Sequence, residues 1–282
     1  MKKIALLCLI YLFSGCASES KKEEVSTTSE SSTNAAQSVE AKPVLAKEDA
    51  VEIKKTEKIA DSQYSKLNEA IKNQNDEAIQ VSASEILTQN PKDVRALNSL
   101  GLLYYKKGRF EAAQYLLNKA LNANSNSAEI YGNLGVVYLA KGERREAIKA
   151  FRKALEINPK DALVGANLGS IYVQEKDFNK AFMSLDIAVK NGMKDPKVMN
   201  NYAITLTATG KVKEASEIFE KILKDNPSQK EAMLNYSILL IEEMQKYKEG
   251  LDLLNRLKFV GVGSESRQVI KDLENRAKAG LQ

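Results

Sequence analysis

The sequence predicts an all-α protein, a solenoid of helix–turn–helix repeats closed by a C-terminal capping helix. Two observations carry this prediction: the same residues recur 34 positions apart, and apolar residues within each block follow the i, i+3, i+4, i+7 spacing of a helix with one buried face. The recurring residues are Leu100, Leu134 and Leu168; Gly101, Gly135, Gly169 and then Ala203; Tyr104, Tyr138, Tyr172 and then Leu206; Ala113, Ala147, Ala181 and Ala215. One hairpin cannot bury its apolar face alone, so successive hairpins stack into a continuous core.

Glycines and prolines mark the ends of the predicted helices. Gly108, Gly142 and Gly210 fall between the two helices of a block, where a backbone with positive φ is least costly for glycine. The second helices are expected to stop near a proline, which lacks an N–H and clashes with the preceding turn. These prolines are Pro91, Pro159 and Pro227.

Residues 128–161 resemble the tetratricopeptide repeat family. The matching residues are Tyr131, Leu134, Gly135, Tyr138, Ala147, Phe151, Ala154 and Pro159. The blocks in register are 94–127, 128–161, 162–195, 196–229 and a distorted block from Lys230, preceded by a degenerate block at about 60–93. The resemblance implies a right-handed superhelix over residues 59–263, a non-enzymatic role and the binding of protein partners.

The N-terminal residues 1–15 are predicted to be an export signal. Lys2 and Lys3 precede the apolar run from Ile4 to Phe13, which is shorter than the roughly 20 residues that span a bilayer as a helix. The segment ending at Cys16 resembles a bacterial lipobox, in which this cysteine is lipidated and becomes the first residue, although Phe13 departs from the usual aliphatic residue. The alternative is an ordinary secretory signal with an incidental cysteine.

Ala17 follows the cysteine, and the absence of aspartate there indicates the outer membrane under the enterobacterial sorting rule. The expected localisation is therefore a lipid anchor in the outer membrane, with the protein facing the periplasm. Residues 16–58 are rich in Ser, Thr, Glu and Lys and predict a flexible tether. This tether is either a leash that lets the repeats search for partners or a spacer of no particular length.

The two ends of the repeat region depart from the regular pattern. A first hairpin with its second helix at about 76–89 lacks the Leu-Gly pair and is expected to act as an N-terminal cap. In the last block, the turn from Met244 to Tyr247 carries one extra residue, which predicts a local distortion. Residues 264–282 are expected to form an amphipathic capping helix, apolar at Val269, Ile270, Leu273 and Ala277.

Composition excludes several kinds of chemistry. The chain has no histidine, which rules out Ser-His-Asp and Cys-His catalysis and histidine-ligated metals. Cys8 falls in the predicted signal, so Cys16 would be the only thiol of the mature chain. The formal net charge of +5 is spread among interleaved Lys and Glu, without a basic stripe for nucleic acid. We expect no cofactor, metal or small-molecule substrate; an enzyme would need a carboxylate pair or Ser-Lys arrangement that the repeats do not display.

The resemblance places binding residues on the first helix of each block, which lines the concave face in this family. Position six carries an asparagine in four successive blocks, and a primary amide can pair with a peptide N–H and C=O together. Apolar residues at positions nine and twelve surround this row, as suits a peptide segment or amphipathic helix in a groove. The candidate partner-binding residues are Asn133, Asn167, Asn201, Asn235, Val136, Leu139, Val173, Ile204 and Ile238.

Each half of this prediction has an alternative. The asparagines could bond only to neighbouring repeats, and the apolar side chains could be covered by the superhelix itself. The functional expectation is a lipid-anchored scaffold of an envelope assembly, similar to type IV pilus or secretin pilotins or to gliding-motility lipoproteins. An adaptor that recruits cell-wall hydrolases or other periplasmic enzymes is the alternative.

Overall fold

The computed structural model describes residues 59–282, and within this range the chain is entirely helical with short connections. The helices are α1 Asp61–Lys72, α2 Asp76–Gln89, α3 Val94–Lys106, α4 Phe110–Ala123, α5 Ala128–Ala140, α6 Arg144–Ile157, α7 Ala162–Gln174, α8 Phe178–Lys190, α9 Pro196–Ala208, α10 Val212–Asp225, α11 Lys230–Ile238, α12 Tyr247–Val260 and α13 Arg267–Gly280. Helices α1 to α12 pair into six successive hairpins, which confirms the predicted all-α solenoid. The predicted signal, Cys16 and the tether lie outside the described residues.

Polar caps and prolines set the helix boundaries. Side chains such as Asp93, Asp161 and Asp195 accept backbone N–H groups at the starts of α3, α7 and α9. Second helices α2, α6 and α10 each end at an asparagine C-cap directly before proline, as the sequence predicts. The hairpin boundaries therefore follow from local sequence before any long-range packing is considered.

The turns between paired helices all contain one residue in the left-handed region. Gly108, Gly142 and Gly210 have φ of 71°, 77° and 80°, which confirms their predicted role. The same place in the other three hairpins is taken by Gln74, Lys176 and Gln245, with φ of 52°, 59° and 55°. A side chain at such a φ is strained, so these three turns are formed without the residue that suits them best.

Close packing inside the central hairpins depends on glycines, which have no side chain to separate the paired helices. At Gly135 in α5, an added Cβ would lie 2.4 Å from the ring of Phe151 in α6. Phe151 is fully buried against the α5 backbone, so the pair sets how closely the two helices approach. Phe151 thus fills space within its own hairpin.

The extra residue of the last hairpin is accommodated by a π-helix. Leu239–Glu243 continues α11 with wider turns, and the backbone N–H of Met244 bonds to the carbonyl of Leu239 at 3.0 Å. The Ile241 side chain then packs directly against the backbone of Gly250 in α12. A side chain at this position would clash, because an added Cβ would lie 2.4 Å from Ile241 Cγ1. The predicted distortion is confirmed, and α12 packs in register behind it.

The capping helix closes the C-terminal end of the stack. Helix α12 ends at Val260 and is capped by Gly261, with φ of 99°, and a 3₁₀ turn over Ser264–Ser266 leads into α13. Helix α13 therefore begins at Arg267, three residues after the start at residue 264 that the sequence predicts. Its buried residues are Ile270, Leu273 and Ala277, all predicted, while Val269 is half-buried. Among residues 59–282 no helix has the length and apolar character needed to cross a membrane.

Candidate protein-binding face

The first helices of successive hairpins form a continuous inner face. Helices α3 and α5, α7 and α9, and α9 and α11 contact each other directly, in addition to their hairpin partners. Because the first helices approach each other closely on one side of the stack, the stack curves toward them. Positions are counted within each 34-residue block, so that position one is residue 94, 128, 162, 196 or 230.

Three of the four predicted asparagines bond to the preceding repeat. The Nδ2 group of Asn133 donates to Asn98 Oδ1 at 2.8 Å, and that of Asn235 donates to Asn200 Oδ1 at 3.2 Å. Asn201 donates to the hydroxyl of Ser170 at 3.2 Å. These amides hold neighbouring repeats together, as one of the two alternatives from the sequence stated.

Asn98 shows how firmly the first of these contacts is built. It is 8% exposed, and its Nδ2 group also donates to Glu129 Oε1 at 2.7 Å. Glu129 and Asn133 lie one turn apart on α5, so Asn98 joins α3 to α5 at two points. A side chain held this way has little freedom to change partners on ligand binding.

Asn167 is the exception in the row. Among the described residues its side chain makes no hydrogen bond, and it is half-buried rather than enclosed. The reason lies in the preceding repeat, where the residue equivalent to Asn98 and Asn200 is Gly132 and offers no side chain to bond. The Asn167 amide therefore keeps both its donors and its acceptor available for another molecule.

The predicted apolar positions divide into accessible and buried. Val136, Leu139 and Ile238 are half-buried and border the inner face. Val173 has 0% exposure, so the expectation that it contacts a partner is corrected: α9 lies directly against α7 and leaves its side chain in the core. Ile204 on α9 is only 8% exposed, so little of it is left for contact.

Two accessible apolar residues of this face were missed from the sequence. Leu163, at position two of its block, is 62% exposed and lies one turn before Asn167 on α7. Leu102, at position nine, is 38% exposed on α3. Their positions in the block were the available signal, since Leu102 shares position nine with Val136 and Leu163 lies on the same helix as Asn167.

Three charged residues at the rim of the face make contacts within the protein. Lys106 pairs with Asp76 at 2.8 Å and Glu242 pairs with Arg276 at 2.7 Å. The guanidinium of Arg95 lies 4.6 Å from the ring centroid of Tyr64, whose hydroxyl donates to Asp93 Oδ2 at 2.6 Å. That hydrogen bond to the carboxylate raises the pKa of Tyr64 to about 12.

At the centre of the inner face, apolar side chains surround one free amide. Leu163, Asn167, Val136 and Leu139 lie on adjacent helices α5 and α7. Within residues 59–282 there is no group of three or more Cys, Asp or Glu side chains that could hold a metal ion. What this surface offers chemically is van der Waals contact and pairing with a peptide group.

Known sequences and structures agree with the fold. The family descriptions "Tetratricopeptide repeat" and "TPR repeat" match residues 128–161 and 101–142. No curated protein matches the sequence.

Three solved structures illustrate the similarity. YrrB, described as a TPR protein with an unusual peptide-binding site, is 21% identical with a TM-score of 0.61, covering 70% of this chain and 97% of its own. PilF from Pseudomonas aeruginosa is 25% identical with a TM-score of 0.51, covering 66% and 88%. MamA of AMB-1 is 21% identical with a TM-score of 0.53, covering 62% and 97%.

The stacked hairpins and their inner face define a helical-repeat protein of the kind that binds other proteins. More narrowly, residues 101–161 match tetratricopeptide repeats.

Proposed function

We propose that this protein is a non-enzymatic, lipid-anchored scaffold whose inner face binds a segment of a protein partner in an envelope assembly. The assembly is of the pilus or secretin-pilotin type or a gliding-motility complex, and the scaffold faces the periplasm from the outer membrane. One observation carries the binding part of this proposal: the amide of Asn167 is accessible and unbonded at the apolar centre of the inner face.

The chemistry of this centre favours an extended, largely apolar segment. A free primary amide can donate to a backbone C=O while accepting from a backbone N–H, so it holds a peptide without reading its side chains. Leu163 and Val136 supply apolar contact beside it. The fold of YrrB, whose description includes a peptide-binding site, is compatible with this use.

The membrane and envelope parts of the proposal rest on the sequence. They are supported by the lipobox-like segment ending at Cys16, by Ala17 after it, and by the resemblance to pilotins and gliding-motility lipoproteins. Residues 16–58 would then connect the anchor to the repeats.

The experiment that tests the binding face is photo-crosslinking in cells from a probe at Asn167, with mass spectrometry of the adducts. Adducts with a secretin or motility subunit are expected. A matched probe at Glu217, exposed on α10, controls for random encounters. Adducts with cell-wall hydrolases would favour the adaptor instead, and adducts from Glu217 alone would contradict the inner face as the binding surface.

A pair of substitutions separates binding from stability. Asn167→Ala is expected to weaken partner binding about fivefold, the value of one hydrogen bond, with no change in thermal stability. Asn133→Ala breaks the bond to Asn98 and is expected to lower the free energy of unfolding by about 1 kcal/mol. If Asn167→Ala is the more destabilising of the two, its amide has a structural role.

The anchor is tested separately. Cys16→Ala is expected to move the protein from the membrane fraction to the soluble fraction, because it removes the site of lipidation. Sedimentation with membranes that is unchanged by the substitution would refute the lipid anchor.

A further inference from the structure

The outer face of the stack carries a row of exposed side chains at one repeat position. Position 22 lies on the second helix of each of the first five hairpins, and all five residues there are exposed. From the first hairpin onward they are Val81, Tyr115, Lys149, Met183 and Glu217. Tyr115 and Met183 are 67% and 68% exposed, unusual for side chains that favour burial.

Helix α6, between these two apolar residues, presents a basic ridge. Arg145, Lys149 and Arg152 follow the i, i+4, i+7 spacing and share one exposed face. Lys149 pairs with Glu146 at 2.8 Å. Arg145 and Arg152 make no hydrogen bond or ion pair with any described residue, so both guanidinium groups are available.

Register brings these features into one surface. Tyr115, Lys149 and Met183 are 34 residues apart and so occupy equivalent places on α4, α6 and α8. The ridge of α6 therefore has an apolar side chain of a neighbouring repeat on each flank. We call Tyr115, Arg145, Lys149, Arg152 and Met183 the outer patch.

The shape and charge of the outer patch fit a lipid surface better than a peptide. The stack curves toward its first helices, so the second helices form the convex side, from which these side chains project without a groove to enclose a segment. Guanidinium groups bind phosphate oxygens in a bidentate manner. Tyrosine is enriched at the headgroup level of membranes, and methionine adapts to irregular apolar surroundings.

We propose that the outer patch docks on an anionic phospholipid surface. The contact needs neither Cys16 nor a partner on the inner face, so it goes beyond the proposed function. The basic ridge is not repeated on α10, where the equivalent residues are Lys213, Glu217 and Glu220. Docking would turn the first helices away from the bilayer and leave the inner face open to partners.

The test uses the mature chain, residues 16–282 with Cys16→Ser, so that no acyl chain contributes. Sedimentation is measured with phosphatidylcholine vesicles and with vesicles that contain about 30% phosphatidylglycerol. Binding is expected only to the anionic vesicles and should fall as salt is raised from about 0.05 M to about 0.5 M, because the charges are exposed. Equal binding to both kinds of vesicle, or none to either, would overturn the proposal and leave a protein partner for this face.

Charge reversal tests the ridge itself. The double variant Arg145→Glu and Arg152→Glu is expected to lower partitioning to anionic vesicles by roughly tenfold or more. The control is Lys213→Glu with Lys221→Glu, which makes the same change in net charge on exposed residues of α10. Equal losses in the two variants would mean that only the total charge matters, which would overturn the patch.

Fluorescence tests the orientation, since the chain has no tryptophan. Each of the single variants Tyr115→Trp and Met183→Trp places the only tryptophan of the chain beside the basic ridge of α6. Its emission is expected to shift to shorter wavelength with anionic vesicles, because the indole enters the interface. Glu217→Trp reports the same repeat position on α10 and should not shift; an equal shift there would contradict docking through the outer patch.

Discussion

The hairpins of this protein pack in two ways. In α3–α4, α5–α6 and α7–α8 the middle of the first helix is a glycine, and the paired helices contact each other over most of their length. In α9–α10 and α11–α12 the same position holds Ala203 and Ser237, and the contact between the helices is less extensive. The hairpins with glycine at position eight are thus the more closely packed ones.

The looser hairpins are held instead by tyrosines that reach the preceding repeat. Tyr202 donates to Asp186 Oδ1 at 3.0 Å, and Tyr236 donates to Glu220 Oε1 at 2.6 Å. Position seven, where they stand, is leucine in the three glycine hairpins. The comparison shows that the hairpins with less extensive packing have tyrosines at position seven, whose hydroxyl groups add hydrogen bonds to the preceding hairpin.

The largest expected effect comes from adding a methyl group at position eight of a hairpin that has glycine there. Gly135→Ala places a Cβ at 2.4 Å from the Phe151 ring, so the helices must separate. We expect a loss of about 1–3 kcal/mol in the free energy of unfolding, measured by urea denaturation.

The matched control is Ala203→Gly in the looser region. Removing this buried methyl group should cost about 1 kcal/mol through lost helix propensity, without the clash. If Gly135→Ala is no more destabilising than Ala203→Gly, close approach at position eight does not separate the two kinds of hairpin.

The next effect depends on pH. Burial and the hydrogen bond to Glu220 raise the pKa of Tyr236 to about 12, above its ordinary value of 10.0. The folded protein holds this proton more tightly than the unfolded chain, so the contribution is complete below pH 10 and is lost as the pH rises toward 12.

Tyr236→Phe should therefore cost about 1 kcal/mol at neutral pH and reduce the loss of stability between about pH 10 and pH 12. Urea midpoints of the variant and the parent protein at both pH values give the measurement. Since lysines also titrate there, the difference between the two proteins is the informative quantity. Parallel losses would show that the tyrosine–carboxylate bond does not stabilise the folded state.

The smallest effect concerns the turns of two otherwise similar hairpins. Lys176 has φ of 59° where its neighbour Gly142 has φ of 77°. Lys176→Gly is expected to raise the unfolding free energy by about 0.5–1 kcal/mol, because the strain exceeds the entropic cost of glycine. Thermal unfolding would measure the gain, and Gly142→Ala should lower stability by a similar amount. A destabilising Lys176→Gly would mean that the lysine side chain contributes more than the strain removes.

Local sequence was sufficient for the repeat framework. The period predicted the hairpins, and Gly108, Gly142 and Gly210 were correctly placed at positive φ because the chemistry of that turn is local. The extra residue before Tyr247 also predicted the distortion, since a count of residues reveals it. The sequence did not predict that the extra residue would be accommodated by a π-helix. That outcome depended on the packing of the Ile241 side chain against Gly250, which is a tertiary contact.

The candidate site was less predictable because it depends on pairs of repeats. The asparagine row follows from register, but the bonds of Asn133 and Asn235 depend on side chains one repeat earlier. Asn201 bonds instead to Ser170, at position nine of the preceding repeat. Asn167 is free because positions five and nine of the repeat before it hold Gly132 and Val136. Val173 was assigned to the surface because its helix position is usually exposed, and it is buried because α9 approaches α7 closely.

The π-helix also bears on the history of the gene. Equivalent turn residues are 34 apart from Gln74 to Gly210, and 35 apart from Gly210 to Gln245. A five-residue π-helix absorbs an inserted codon within one turn and returns the chain to phase, as Gly250, Leu254 and Leu257 show. The last repeat thus carries the mark of a one-residue insertion into the 34-residue pattern, and the π-helix is where the extra residue is accommodated.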